Sequence, residues 1–282
     1  MPHLHAMPMS QYHDGSHVGI HGLLEFERYG PEFYKRCVLG QVERKKDSRD
    51  KHLGTIGHML ILEDERVFES SVVVRPETYT NKDGETKPWN MNAKACQEWA
   101  AEQEAKGLLE ITAKERGMLL GMNRAVHAEC PHIFRKGMSE TTIRCVMDGV
   151  PVQCRVDWLV VEGPDKWDWR EEVDLKTVDE IESAPWDIRN LNYIRHRAWY
   201  RRILALEGVA LDAHWLLFVE KHPAHRVWMR EVTKEEMDAA DAQNMATFAR
   251  FAECYKKDVW PRLSSAEVQE RMRGHAVPDG AM

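Results

Sequence analysis

What this chain has little of narrows it first. Its 282 residues include six cysteines, at positions 37, 96, 130, 145, 154 and 254, and no two of them form a C-x-x-C pair. That spacing suggests neither a disulfide framework nor a zinc site, and it leaves the thiols as small buried apolar groups. No run of about 18 apolar residues occurs, so no transmembrane helix is expected. The opening Met1-Pro2-His3-Leu4-His5 has neither a charged n-region nor an apolar h-region. A secretory signal is therefore not expected, and the cytoplasm is the default location. Positive charge is not in excess either. The formal net charge is -7, which argues against a nonspecific polyanion binder. The 14 histidines contain no H-E-x-x-H pair, and no internal repeat or low-complexity tract stands out.

What is present is enough for a real core: 43% hydrophobic residues and ten tryptophans. The length suits one large domain or two small ones. No clean linker divides the chain, so a flexible arm over 1–20, one domain over 21–262 and a flexible tail over 263–282 are expected. Leu23–Tyr34 has helical spacing and breaks at Gly30-Pro31. Gly54–Leu62 is buried, as a helix or a strand. Phe68–Val74 reads as a strand. Asn92–Lys106 reads as a helix closed by Gly107. Thr112-Ala-Lys-Glu115 and Thr233-Lys-Glu-Glu236 are capping boxes that open helices reaching about Ala128 and Lys257. Asp148-Gly149 joins the strands Thr141–Met147 and Val150–Val161 as a hairpin, and Glu171–Thr177 is the next strand. Trp186–Leu206 reads as one long helix, followed by the strands Ala213–Glu220 and Arg226–Val232. The fold class is mixed α/β, a small central mixed sheet flanked by helices.

The chemistry concentrates in Cys154-Arg155-Val156-Asp157-Trp158 and Glu171-Glu172-Val173-Asp174-Leu175-Lys176-Thr177. Alternate strand residues share a face. Asp174 and Lys176 therefore project together while Val173 and Leu175 enter a core, and Glu172 shares the Asp174 face as a rival ligand. Two carboxylates suit a hard divalent cation, and a neighbouring lysine can orient or help deprotonate a water. The same residues would also serve as a structural salt-bridge cluster. A local basic footprint persists despite the net charge. Between Arg189 and Arg202 lie five arginines and no acid, a pattern that also fits a solvated helix face.

The order of hairpin, acid, acid-x-Lys strand and helix resembles the PD-(D/E)xK nuclease superfamily. Within it the chain looks like the RecE-type exonucleases of phages and prophages, and more distantly like lambda exonuclease. The matching residues are Gly54-Thr55-Ile56-Gly57-His58-Met59-Leu60-Ile61-Leu62, Glu140, Arg155-Val156-Asp157 and Asp174-Leu175-Lys176-Thr177. The following helix usually holds Gln-x-x-x-Tyr. Here it is His196-Arg-Ala-Trp-Tyr200, with histidine in place of glutamine.

The resemblance implies a metal-dependent exodeoxyribonuclease that degrades double-stranded DNA ends 5′ to 3′ in phage-type homologous recombination, in the cytoplasm of a bacterial host. It implies Mg²⁺, with Mn²⁺ able to substitute, held by His58, Asp157, Asp174 and the Leu175 carbonyl. Lys176 would position the water, Glu140 would hold a second metal or a metal-bound water, and His196 and Tyr200 would reach the phosphate or Lys176. Arg155, Arg189, Arg195, Arg197 and Arg201 would hold the DNA backbone. A homo-oligomeric ring and a single-strand annealing protein as partner follow by the same resemblance, with no membrane. The alternatives are a non-catalytic nucleic-acid-binding module on a nuclease fold, or an endonuclease of the same superfamily. The superfamily's iron–sulfur branch needs a C-terminal cysteine trio, and only Cys254 lies beyond residue 200, so no iron–sulfur cluster is expected.

Overall fold

A computed structural model describes residues 4–7, 9–13, 15–40, 42, 48–63, 65–161 and 169–274. The chain opens with β1 (Leu4–Ala6), a turn of helix α1 (Met9–Tyr12), α2 (Ile20–Tyr29) and α3 (Pro31–Phe33). Next come α4 (Arg49–Leu62), α5 (Glu65–Ser71), β2 (Val72–Val74), β3 (Thr78–Thr80) and β4 (Thr86–Pro88). α6 (Lys94–Ala105), β5 (Leu109–Ile111) and α7 (Ala113–Glu129) lead into the long strands β6 (Gly137–Met147), β7 (Val150–Val161) and β8 (Trp169–Val178). α8 (Ala184–Asn190), α9 (Tyr193–Leu206), β9 (Ala213–Glu220), β10 (Val227–Glu231), α10 (Lys234–Lys257) and α11 (Ser265–Gly274) complete it.

The central sheet has the order β1-β6-β7-β8-β9-β10. Its neighbours run antiparallel except β8 and β9, which are parallel. A parallel pair needs a crossover, and α8 and α9 supply it. One face packs on α4 and α7, with Ile61, Met122 and Val126 meeting Val173, Leu175, Leu217 and Val219. The other packs on α2, α9 and α10, with Phe26, Trp199, Phe248 and Phe251 meeting Ile143, Val152 and Val156. The expected mixed sheet flanked by helices is the fold. Among the described residues no helix is long and apolar enough to cross a membrane.

Three local readings need correction. The segment expected to be a loose arm contributes β1, which pairs with Thr141–Ile143, and it buries Val18 and Ile20. Residues 1–3, 8 and 14 lie outside the described residues. So do 275–282 of the expected tail, whose residues 265–274 are helical. The expected strand over Phe68–Val74 is helical to Ser71, because a helix buries Phe68 against Ile56, Leu60 and Leu119 while Glu65 and Glu69 stay exposed. The long helix expected over Trp186–Leu206 is two helices. Asn192 takes a left-handed conformation at φ 60° and ψ 32°, which a short polar side chain tolerates. That turn restarts the helix and sets α9 against the sheet.

Candidate metal centre

The site lies where the sheet is irregular. The β6–β7 ladder pairs Ser139 with Trp158 and Thr141 with Val156, but it skips Glu140 between them, which has φ 48°. The β7–β8 ladder pairs residues only as far as Trp158 and Val173. Beyond that point Asp157 fills the opening with its side chain, and the Leu175 amide donates to its Oδ2 at 2.9 Å. A carboxylate thus replaces a strand partner, which satisfies the backbone and leaves an acid at the gap.

His58 approaches from α4. Gly54 and Gly57 lie one turn and one residue before it and allow close packing on β8. A Cβ built on Gly57 would meet Thr177 Cγ2 at 3.5 Å and Leu119 at 3.6 Å, so anything larger than alanine would push the helix out. His58 Nδ1 lies 3.7 Å from Asp157 Oδ2 and 3.9 Å from Glu140 Oε1. One ligand atom from each of His58, Glu140 and Asp157 falls within 4.8 Å of the others. Glu140 is held by Arg155, whose guanidinium also donates to the Met7 carbonyl.

On β8, Val173 and Leu175 enter the α4–α7 core, while Glu172, Asp174 and Lys176 turn toward α9. Lys176 Nζ lies 2.6 Å from Asp174 Oδ2 and 3.9 Å from Asp157 Oδ2, donates to the Leu175 carbonyl at 3.2 Å, and sits 5.1 Å above the Tyr193 ring.

Electrostatics follow this crowding. Burial, then the neighbouring Asp174 charge, raises Asp157 to about 6. Burial also opposes ionisation of Asp174, but Arg197 and Lys176 overcome it and hold that carboxyl at about 2. Burial opposes protonation of His58, yet Asp157 and Glu140 raise its pKa. Burial opposes ionisation of Glu140, and His58 and Arg155 lower its pKa. Acids gathered this closely, with one driven toward its neutral form, describe a place that a cation would relieve.

Of the expected ligands, His58 and Asp157 come together, and Glu140 joins them as the third. Asp174 is turned to Lys176 and Arg197, and the Leu175 carbonyl accepts from Lys176. Glu172 is not a rival ligand. It is fully buried beneath the site, paired with Arg197 and His214. His196 and Tyr200 are buried in the wall formed by α9. Among the described residues His196 Nε2 has no hydrogen-bond partner, and burial holds its pKa well below the usual histidine value.

The arginines separate. Arg189 is exposed on α8. Arg155 is committed to Glu140, Arg195 to Glu27 and Asn244, and Arg201 to Asp238. Arg197 was expected to grip DNA, but its side chain is fully buried between Glu172 and Asp174, so a ligand in solvent cannot reach it. Sequence reasoning missed Tyr193 and His21. Tyr193 lies under Lys176, and the His21 ring stands edge-on to His196 at 4.6 Å. Tyr193 sits one turn before Arg197, and that spacing was the available signal.

No family model and no curated protein match this sequence. Among solved structures, the chain is similar to the crystal structure of a candidate exonuclease from Eubacterium rectale. Identity is 15% over 97% of this chain and 93% of that one, with a TM-score of 0.58. That likeness shows the fold.

Proposed function

We propose that the protein is a divalent-metal-dependent nuclease of the PD-(D/E)xK type, and specifically an exonuclease that degrades double-stranded DNA ends 5′ to 3′. The observation that carries this reading is the convergence of His58, Glu140 and Asp157 at the strand opening, beside a lysine suspended between two aspartates. Carboxylate oxygens suit Mg²⁺ and Mn²⁺, and the imidazole nitrogen favours Mn²⁺ of the two. Asp174 Oδ2 is buried beside the cluster, paired with Lys176 at 2.6 Å, which adds a further carboxylate next to it. His58, Glu140 and Asp157 would hold the cation, with Asp174 adjacent. When bound, such an ion polarises phosphate oxygens and acidifies a water. Lys176 orients the attacking water and offsets charge on the phosphate. Arg155 fixes Glu140, and exposed Arg189 contacts the DNA backbone.

The resemblance and the structural neighbour support the exonuclease reading, and the resemblance adds a ring-shaped homo-oligomer, a single-strand annealing protein as partner and a role in recombination in a bacterial cytoplasm. The test is purified protein with linear duplex and Mg²⁺ or Mn²⁺. Nucleotide release from ends, abolished by Lys176→Ala, is expected. Cutting of closed circular duplex at a similar rate would show an endonuclease instead. A protein that neither cuts DNA nor binds Mn²⁺ would be a binding module.

A further inference from the structure

We infer that Arg197 is a positioning residue, which fixes the orientation of the Asp174 carboxylate through a fully buried ionic chain. What that orientation serves rests on the nuclease reading; the chain of contacts does not. Glu172 and Asp174 are two residues apart on β8 and point to one face. The planar guanidinium of Arg197 spans them, with Nη1 2.9 Å from Glu172 Oε2 and Nη2 2.7 Å from Asp174 Oδ1. Glu172 is anchored at its other oxygen by His214 Nδ1 at 2.8 Å. The guanidinium also lies 4.3 Å from the centre of the Tyr200 ring. Arg197 and Glu172 are 0% exposed, Asp174 2% and His214 6%.

This arrangement makes the two oxygens of Asp174 unequal. Oδ1 is committed to Arg197, so Oδ2 is left facing Lys176 and, beyond it, Asp157. A carboxylate on its own turns freely about its terminal torsion. Held by one oxygen, it presents the other in one direction, and the place of the Lys176 ammonium follows from that. Lysine at position 197 would supply one compact ammonium, unable to match both carboxylates as a planar fork does. Burying four ionisable groups is a poor way to gain stability, but it is a good way to hold a carboxylate still.

The paired variant Glu172→Gln/Arg197→Met tests this. It removes one charge of each sign, so a change in cation affinity reports geometry and not net charge. A cooperative thermal transition should show that it folds. Calorimetric titration with Mn²⁺ alone should show binding weakened about 10-fold, a usual size for losing a group that orients a ligand. Asp174→Asn should weaken the wild type by a similar factor and add nothing to the paired variant. On linear duplex, kcat should fall with KM unchanged. Wild-type Mn²⁺ affinity and kcat in the folded variant would overturn the inference, as would a raised KM with kcat kept, which would mark a DNA contact. Arg197→Lys, which keeps the charge, should lose Mn²⁺ affinity in the same direction, and it serves if the paired variant does not fold; full affinity in Arg197→Lys would overturn the claim. If the wild-type protein neither binds Mn²⁺ nor cuts DNA, the nuclease reading fails by itself. A metal-free crystal structure then decides. A turned Asp174 carboxylate in the variant supports the positioning role, and an unmoved one overturns it.

Discussion

Alternate residues of β8 face two different interiors. Val173 and Leu175 pack among Ile61, Met122, Val126 and Leu217, all apolar and buried. Glu172 and Asp174 face Arg197, equally buried and wholly ionic, with Lys176 at the mouth. The first face stabilises, at roughly 1.5–3 kcal/mol per fully buried aliphatic side chain. The second gives back most of its Coulomb energy as desolvation. In return it keeps charged groups in fixed places with little room to relax. One strand therefore separates holding the fold from presenting the chemistry, and it does so by the period-two alternation of its side chains.

Mutations on the two faces should separate in the same way. The largest effect is expected for Lys176→Ala. Duplex cleavage should fall about 10²–10³-fold, as when one charge-stabilising donor is lost, in a protein that still folds because Arg197 remains on Asp174. A similar loss of cleavage from a folded Leu175→Ala protein would erase the distinction. Arg197→Met alone should lower unfolding free energy in urea by about 3–5 kcal/mol, because Glu172 is then buried without its cation. Leu175→Ala should cost about 2–5 kcal/mol by the same measurement, through a cavity and not through charge.

The smallest effect concerns how the apolar-face helices are tied together. Glu115 caps α7 and pairs with Arg49 of α4. Burial opposes its ionisation, but Arg49 and Thr112 lower its pKa to about 2. A depressed carboxylate stabilises above its unfolded pKa, and that contribution is lost as pH falls through the folded one. Glu115→Gln should therefore cost about 1 kcal/mol at pH 7. The gap in melting temperature between variant and wild type should close as pH falls from about 4.5 toward 2. A gap that stays constant with pH would show that the carboxylate's charge contributes nothing.

Much of this was legible from local pattern. The capping boxes at Thr112 and Thr233 form as read. The Asp148-Gly149 hairpin does too, with φ of 47° and 75°, because cap and turn chemistry depends on residues within a few positions. The hairpin, the acid and the acid-x-Lys strand stand in the order given. Asn192 escaped notice because nothing in its neighbours demands a left-handed residue, and only the tertiary placement of α9 selects it. Arg197 was misplaced for a related reason. Five arginines in 14 positions look like a basic surface, and burial is not a local property. The usable clue lay elsewhere, in Glu172: an acid on the same face as Asp174, in a strand otherwise buried, requires a cation opposite.

The wedge that Asp157 drives between β7 and β8 leaves one backbone proton in an unusual position. The Leu175 amide, in the middle of the sheet, is shielded by a side chain in place of a neighbouring strand. Its exchange with deuterated solvent should therefore track whatever Asp157 is doing, while the amides paired along β8 and β9 track unfolding of the sheet. A single backbone resonance would then report on the carboxylate from inside the core, without a label, a substrate or a substitution.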